Sequence, residues 1–380
     1  MLFSSPHPLG DQELAVVRRV EDLRERLRLQ LHEPRRWAGS LRRISFARAI
    51  QGSNSIEGFV ADLDDVAAAA IGEEPLDATT ETTLALRGYR EAMTYVLQLA
   101  DEEPFSYSEQ LIKGLHFMMT GYTLANRPGR WRTGSIYVRD GATGETVYEG
   151  PDISEVPGLV RELCERLDSR EGTPPMIRAA LAHLNLVMIH PFRDGNGRMA
   201  RCLQTLVLAR EGVLAPQFCS IEEYLGRHTD DYYAVLSQVG KGSWHPENDT
   251  QPWIRFILTA HFRQAQTLLH RVRESEQLWV ALERLAATHH LHERMLPVLF
   301  DAAIGFRIRR STYLAMVSEE FDLSEQSAGR DLRLLVERGL LLPHGEKRGR
   351  HYTGSDELRR MWSAIREKRA RGDMLDPFGV

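Results

Sequence analysis

Apolar residues recur at helical spacing along most of this chain. Between residues 11 and about 50, Leu14, Val17, Val20, Leu23 and Leu27 fall on one stripe among Arg and Glu, which predicts an amphipathic helical region. A short polar segment, Gln51 to Ser55, interrupts the pattern. The run Ser53-Asn54-Ser55-Ile56-Glu57-Gly58 reads as a polar turn leading into a helix, with Ser53 as a cap candidate and Glu57 as a solvated helix residue. Helices are expected over about Asp62 to Ala70, Glu81 to Ala100 and Ser108 to Met119, with a break at Gly72 to Pro75. Pro175 opens another, with Ile177, Leu181, Leu184 and Met188 inward, and Pro191 closes it. The next starts near Gly197, turns Met199, Leu203, Leu206 and Val207 inward, and stops at Gly212. Further helices are expected near 220–238 and 250–275.

Two stretches break this rhythm. From Ala125 to Pro151, the turn formers Pro128-Gly129 and Gly141 to Gly144 flank or join two β-prone runs, Ser135 to Val138 and Glu145 to Tyr148, which predicts a hairpin. From about residue 280, short helices over Ser311 to Glu319 and Ser324 to Arg338 precede Leu340 to Leu342, a Gly-Glu-Lys-Arg-Gly tip at 345–349 and His351 to Thr353. Helix, turn, helix, hairpin is the order of a winged helix-turn-helix domain. The expected fold is mostly α, divided into residues 1–78, 79–278 and 279–380.

Composition narrows the function classes. The 380 residues are 42% hydrophobic and 27% charged, enough for ordinary packed cores, and the net charge of -5 gives no overall pull toward nucleic acid. Cys164, Cys202 and Cys219 are few, odd in number and unpatterned, which fits a reducing cytoplasm. Met1 to Gly10 lacks the charged start and apolar core of a signal peptide. No apolar stretch approaches the roughly 20 residues of a membrane helix.

The chemistry concentrates in His190-Pro-Phe192-Arg-Asp194-Gly195-Asn196-Gly197-Arg198-Met-Ala-Arg201. Glycines between two helices let backbone N–H groups converge, and the second helix adds its positive end, so Gly195, Asn196 and Gly197 form an anion site. Arg198 and Arg201, three apart, suit a di- or triphosphate. Asp194 can hold Mg²⁺ against those oxygens, and a neutral His190 can take a proton from an incoming hydroxyl. Phe192 reads as a buried anchor. His116 and His183 read as surface or satisfied core histidines.

This string resembles the Fic family signature, His-x-Phe-x-(Asp/Glu)-Gly-Asn-Gly-Arg-x-x-Arg, at every defined position. The resemblance implies a mostly helical Fic core over about residues 80–275 that transfers AMP from ATP to a hydroxyl of a target protein, the chain itself included. It implies His190 as general base and Asp194 as Mg²⁺ ligand. Gly195, Asn196 and Gly197 would cradle the α- and β-phosphates, Arg198 would clamp the β-phosphate and Arg201 the γ-phosphate. Ile136, Tyr137 and Val138 fall where the family has a flap that docks the target as an added strand. Asp231-Tyr232-Tyr233 resembles the segment near the adenine pocket.

Ser53 to Gly58 is similar to the family's inhibitory motif, (Ser/Thr)-x-x-x-Glu-(Gly/Asn). The resemblance pairs Glu57 with Arg201, where the carboxylate takes the place of the γ-phosphate and forces ATP into a non-productive pose. In the C-terminal region, Arg330 and Arg333 lie on the expected recognition helix, and Lys347, Arg348 and Arg350 at the wing. Nine Lys/Arg against eight Asp/Glu between residues 295 and 353 is a thin basic excess, so DNA and protein docking both stay open. The leading function is an autoinhibited protein adenylyltransferase. The alternatives are removal of AMP by the same site, or a nucleotide-sensing, DNA-binding transcriptional regulator. The long N-terminal helices could support a homodimer.

Overall fold

A computed structural model describes the chain except residues 7–8, 33–35, 140–145, 170–171, 213–214, 318–320, 347–348, 368–375 and 380. Helices dominate it. The N-terminal stripe becomes helix Asp11–His32, with Val17, Val20 and Leu27 buried. That helix packs along Gln251–Thr288, a helix of 38 residues. The expected boundary at residue 278 falls inside this helix, which extends the 250–275 prediction because Leu278, Leu282 and Leu285 continue its buried face.

The polar segment 51–55 is not a turn. It forms the last turn of helix Ala38–Ile56, and Glu57 is its C-cap. Asn54 Nδ2 donates to Ile50 O at 2.8 Å, and Ser55 Oγ donates to Gly52 O at 3.0 Å, so these donors bond back along the helix. Ser53 therefore caps nothing. The same turn is crossed tightly by helix Glu222–Arg227. Gly52 and Gly226 meet at the crossing, and a methyl group on Gly226 would lie 2.6 Å from Gly52 Cα.

Helices Leu63–Ala70, Thr80–Leu99 and Glu109–Thr120 follow the expected pattern, the last two capped by Thr79 and Ser108. Pro175–Ile189 and Asn196–Ala209 pack against each other at the centre of the core. The region near 220–238 splits at His228 into Glu222–Arg227 and Thr229–Gly240. Helices Val156–Ser169, Leu296–Ile304 and Asp356–Glu367 add to the predicted set.

The first strand pair is Tyr137–Arg139 with Thr146–Glu149, antiparallel, with Val138 opposite Tyr148. It begins two residues later than expected, so Ser135 and Ile136 precede the strand. The expected Gly141 to Gly144 turn and Glu145 lie outside the described residues. In the C-terminal part, helices Arg310–Val317 and Glu325–Glu337 precede strands Leu341–His344 and His351–Gly354. Arg330 and Arg333 are exposed, whereas Lys347 and Arg348 lie outside the described residues. Arg43 pairs with Asp301 at 2.5 Å, and Arg307 pairs with Asp64, Asp65 and Asp77, which ties this part to helices Ala38–Ile56 and Leu63–Ala70 and to the loop after them. Among the described residues, no helix is long and apolar enough to cross a membrane.

Candidate functional site

Helix Pro175–Ile189 stops at His190, whose φ of 51° is left-handed and whose N–H still reaches Leu186 O at 3.1 Å. Pro191 forbids a further helical turn. Phe192 then enters the core fully buried and stacks on His116 with ring centres 3.7 Å apart. Asn196 folds back on the loop: its Oδ1 accepts from Phe192 N–H and its Nδ2 donates to Phe192 O, both at 2.9 Å. The Asn196 side chain is thus spent on the loop, leaving its backbone N–H for a ligand. His116 accepts from Gly129 N–H through Nδ1 at 2.9 Å, so its proton sits on Nε2 and is donated to Asp194 O at 2.9 Å. Burial holds its pKa down at about 4, in keeping with a neutral ring.

His190 Nδ1 lies 3.0 Å from Val187 O. A carbonyl can only accept, so Nδ1 carries the proton and Nε2 keeps a lone pair. Burial pushes the His190 pKa below the ordinary histidine value. The His190 carbonyl accepts from Arg132 Nε at 3.0 Å, and Arg132 also donates to Gly134 O and Pro151 O. One buried guanidinium thereby joins the foot of the hairpin to the histidine.

Gly195 takes φ 76° just before helix Asn196–Ala209, a conformation that suits glycine. The first N–H groups of that helix have no intrahelical acceptor and carry its positive end. Arg198 and Arg201 are fully buried beneath this turn. Arg198 donates to Tyr122 Oη at 3.3 Å, lies 3.8 Å from Asp194 Oδ2, and stacks on Phe59 at 5.0 Å. Asp194 accepts from Asn126 Nδ2 at 2.9 Å and from Gly195 N–H at 2.7 Å, yet its side chain stays 44% exposed and open to a ligand.

Glu57 reaches this cradle from helix Ala38–Ile56. Arg201 donates to Ser53 Oγ at 2.8 Å, Ser53 O at 2.9 Å and Glu57 Oε1 at 2.7 Å. Burial works against charge on Arg201, but Glu57, together with Tyr232 and Tyr89, more than reverses this, so the guanidinium is held above its usual range. Arg201 Nη1 is buried without a hydrogen-bond partner and lies 3.1 Å from where a Gly197 side chain would begin. An unused cationic donor facing the N-terminal turn is the feature an anion would satisfy.

The expected tyrosine pair separates. Tyr232 is buried and bonded to His183 Nε2 at 3.0 Å through its hydroxyl, so it belongs to the core because its face of the helix packs on Trp253. Tyr233 is 48% exposed, and its hydroxyl donates to Ile56 O at 3.3 Å. His183, also bonded to Gln204, is a satisfied core histidine. Ile136 and Val138 are partly buried, and Tyr137 is exposed. Sequence reasoning missed Arg132, Asn126, Tyr122 and Phe59, which reach the site from separate segments without a local spacing signal.

Residues 106–208 match the Fic/DOC family. The chain is similar to the protein adenylyltransferase Fic of Nematostella vectensis, 30% identical over 218 residues, which cover 56% of this chain and 46% of that protein. It is also similar to the protein adenylyltransferase fic-1 of Caenorhabditis elegans, 29% identical over 143 residues, 38% and 25% of the two chains. The chain thus spans less than half the length of these relatives. Its fold is similar to that of a Fic family protein from Desulfovibrio desulfuricans G20, with a TM-score of 0.59 and 20% identity over 93% and 99% of the two chains. A structure of C. elegans Fic-1 gives 0.56 and 24%, over 69% and 73%.

Proposed function

We propose that this protein transfers AMP from ATP to a hydroxyl side chain of a protein, and that Glu57 holds it in a low-activity state. The observation that carries this reading is His190 Nε2, an unprotonated base, on the same rigid loop as an N-terminal turn with an unpartnered Arg201 donor. In this reading the base takes the proton of an incoming hydroxyl as its oxygen attacks the α-phosphorus. The bond to the bridging oxygen breaks, and pyrophosphate leaves. The N–H groups of Asn196, Gly197 and Arg198 hold the α- and β-phosphates, Arg198 the β- and Arg201 the γ-phosphate.

Asp194 is a single carboxylate steered by Asn126, with no metal-binding cluster of His, Cys, Asp and Glu among the described residues. That fits Mg²⁺, which binds through one or two carboxylates plus substrate phosphates. The ion would neutralise phosphate charge there. Strand Tyr137–Arg139 has one strand partner among the described residues, so its outer edge can pair with a target segment. Tyr233, beside Ile56, takes the adenine-side role first given to the pair. The C-terminal helix–helix–hairpin is read as a winged helix. Intact mass after incubation of Glu57→Gly with Mg²⁺-ATP tests the proposal: a gain of one AMP, abolished by His190→Ala, is expected, and no gain overturns it.

A further inference from the structure

Cations line the groove between the hairpin's foot and the motif loop. It encloses about 230 Å³, and Arg127, Arg130, Arg132, Arg193, Trp131 and Ile136 line it. Arg132 is buried and committed to carbonyls. The other three keep most of their donors. Arg127 donates to Thr133 Oγ1 at 2.9 Å and Arg193 to Ala125 O at 3.1 Å, both neutral oxygens. One bond each fixes these head groups and leaves further N–H groups of the fork for an acceptor. Lys113 holds its ammonium 4.3 Å above the Trp131 ring and 3.9 Å from Glu109, which offsets its charge. This local excess stands in a chain whose net charge is -5.

Its place matters as much as its charge. Ile136 lines the groove, and the strand edge at Tyr137 continues directly from it. Arg193 follows His190 by three residues, and Arg132 bonds the His190 carbonyl. A polypeptide laid along the strand edge would pass these arginines beside the base.

Resting on the transferase reading above, we infer that the groove takes an acidic segment of the target polypeptide, next to the hydroxyl that is modified, with carboxylates on Arg127, Arg130 and Arg193. Exposed ion pairs are individually weak, so the preference comes from several acting together and fades with salt.

Fluorescence anisotropy with the full chain and no nucleotide tests this. The probes are a labelled short peptide with one Ser flanked by Glu residues and its counterpart with Gln for Glu. The acidic peptide is expected to bind about tenfold more tightly at low ionic strength, with the difference gone by roughly 0.5 M NaCl. The double variant Arg130→Glu/Arg193→Glu should lose the preference while melting at the wild-type temperature. Equal affinity of the two peptides overturns the inference, as does a preference that survives salt. Displacement of the peptide by ATP would assign the groove to the phosphate cradle and also overturn it, as would tighter binding of a single-stranded oligonucleotide. The readout is binding, so absent AMP transfer would defeat the transferase reading and leave this result standing.

Discussion

Glu57 Oε1 lies 2.7 Å from Arg201 and against Gly197, so one carboxylate covers both the guanidinium and the helix entrance beside it. A γ-phosphate on Arg201 must displace it. A hydrogen bond between charged groups contributes about 1.5 to 3 kcal/mol, and each 1.4 kcal/mol is a factor of ten. Glu57→Gly should therefore raise AMP transfer by between about ten- and a hundredfold. Radiolabelled ATP and auto-modification measure it, and unchanged transfer removes the brake from the mechanism. ATP should also raise the melting temperature of the variant more than that of the wild type, because the nucleotide supplies the anion that Arg201 has lost.

The twelve-residue motif was legible because its chemistry is local: His190, Gly195 and Arg201 fall within one turn-helix junction. The segment Ser53 to Gly58 was half legible. Its resemblance to a family motif pointed to Glu57, but its polarity suggested a turn, because the burial of Ser53 depends on Arg201, 148 residues away. Arg132 and Asn126 were illegible for the same reason: each is meaningful only beside a partner 58 or 68 positions distant. Tyr232 went the other way. Which of two adjacent tyrosines faces the core is set by Trp253 and His183, and neither is near in sequence.

Gly197 lies against both Glu57 and Arg201. A methyl group there would collide with Glu57 Oε1 and come within 3.1 Å of Arg201 Nη1. The glutamate is the tip of a flexible side chain and can swing away, so Gly197→Ala should remain folded. The new methyl would still occupy the phosphate path. Gly197→Ala alone should not activate, and combined with Glu57→Gly it should bring transfer back down by roughly a hundredfold or more, as expected for loss of close backbone contact to a transition-state anion. A double variant as active as Glu57→Gly would refute phosphate binding at this turn.

The pH profile should report His190. Its pKa is held below the ordinary value, first by burial, with Glu57 pulling in the opposite direction. The base is active when unprotonated, so kcat/KM should be flat from about pH 7 to 8 and fall only as pH drops below about 6.5. Removing Glu57 removes an influence that raises the pKa. The acid limb of Glu57→Gly should therefore lie at lower pH than that of a partly active variant that keeps Glu57. An acid limb above pH 7 in either protein would exclude His190 as the base.

Acid should also loosen the fold through the two histidines that brace the site. His116 is held down at about 4 and His183 at about 3, both chiefly by burial. Each is neutral in the folded chain and takes up a proton near pH 6.5 once unfolded, so the unfolded state binds more protons between those values. Their contribution is complete above pH 6.5 and is lost as pH falls toward 4 for His116 and toward 3 for His183. By pH 5 the loss is about 2 kcal/mol for each. Urea unfolding at pH 7 and pH 5 measures it. His116→Gln should remove its own share of this loss, about 2 kcal/mol at pH 5, because glutamine can fill the space without titrating. Since His116 carries both the Phe192 ring and the Asp194 carbonyl, the same variant should lose AMP transfer at every pH. A variant that keeps full activity would show that the loop stands without its brace.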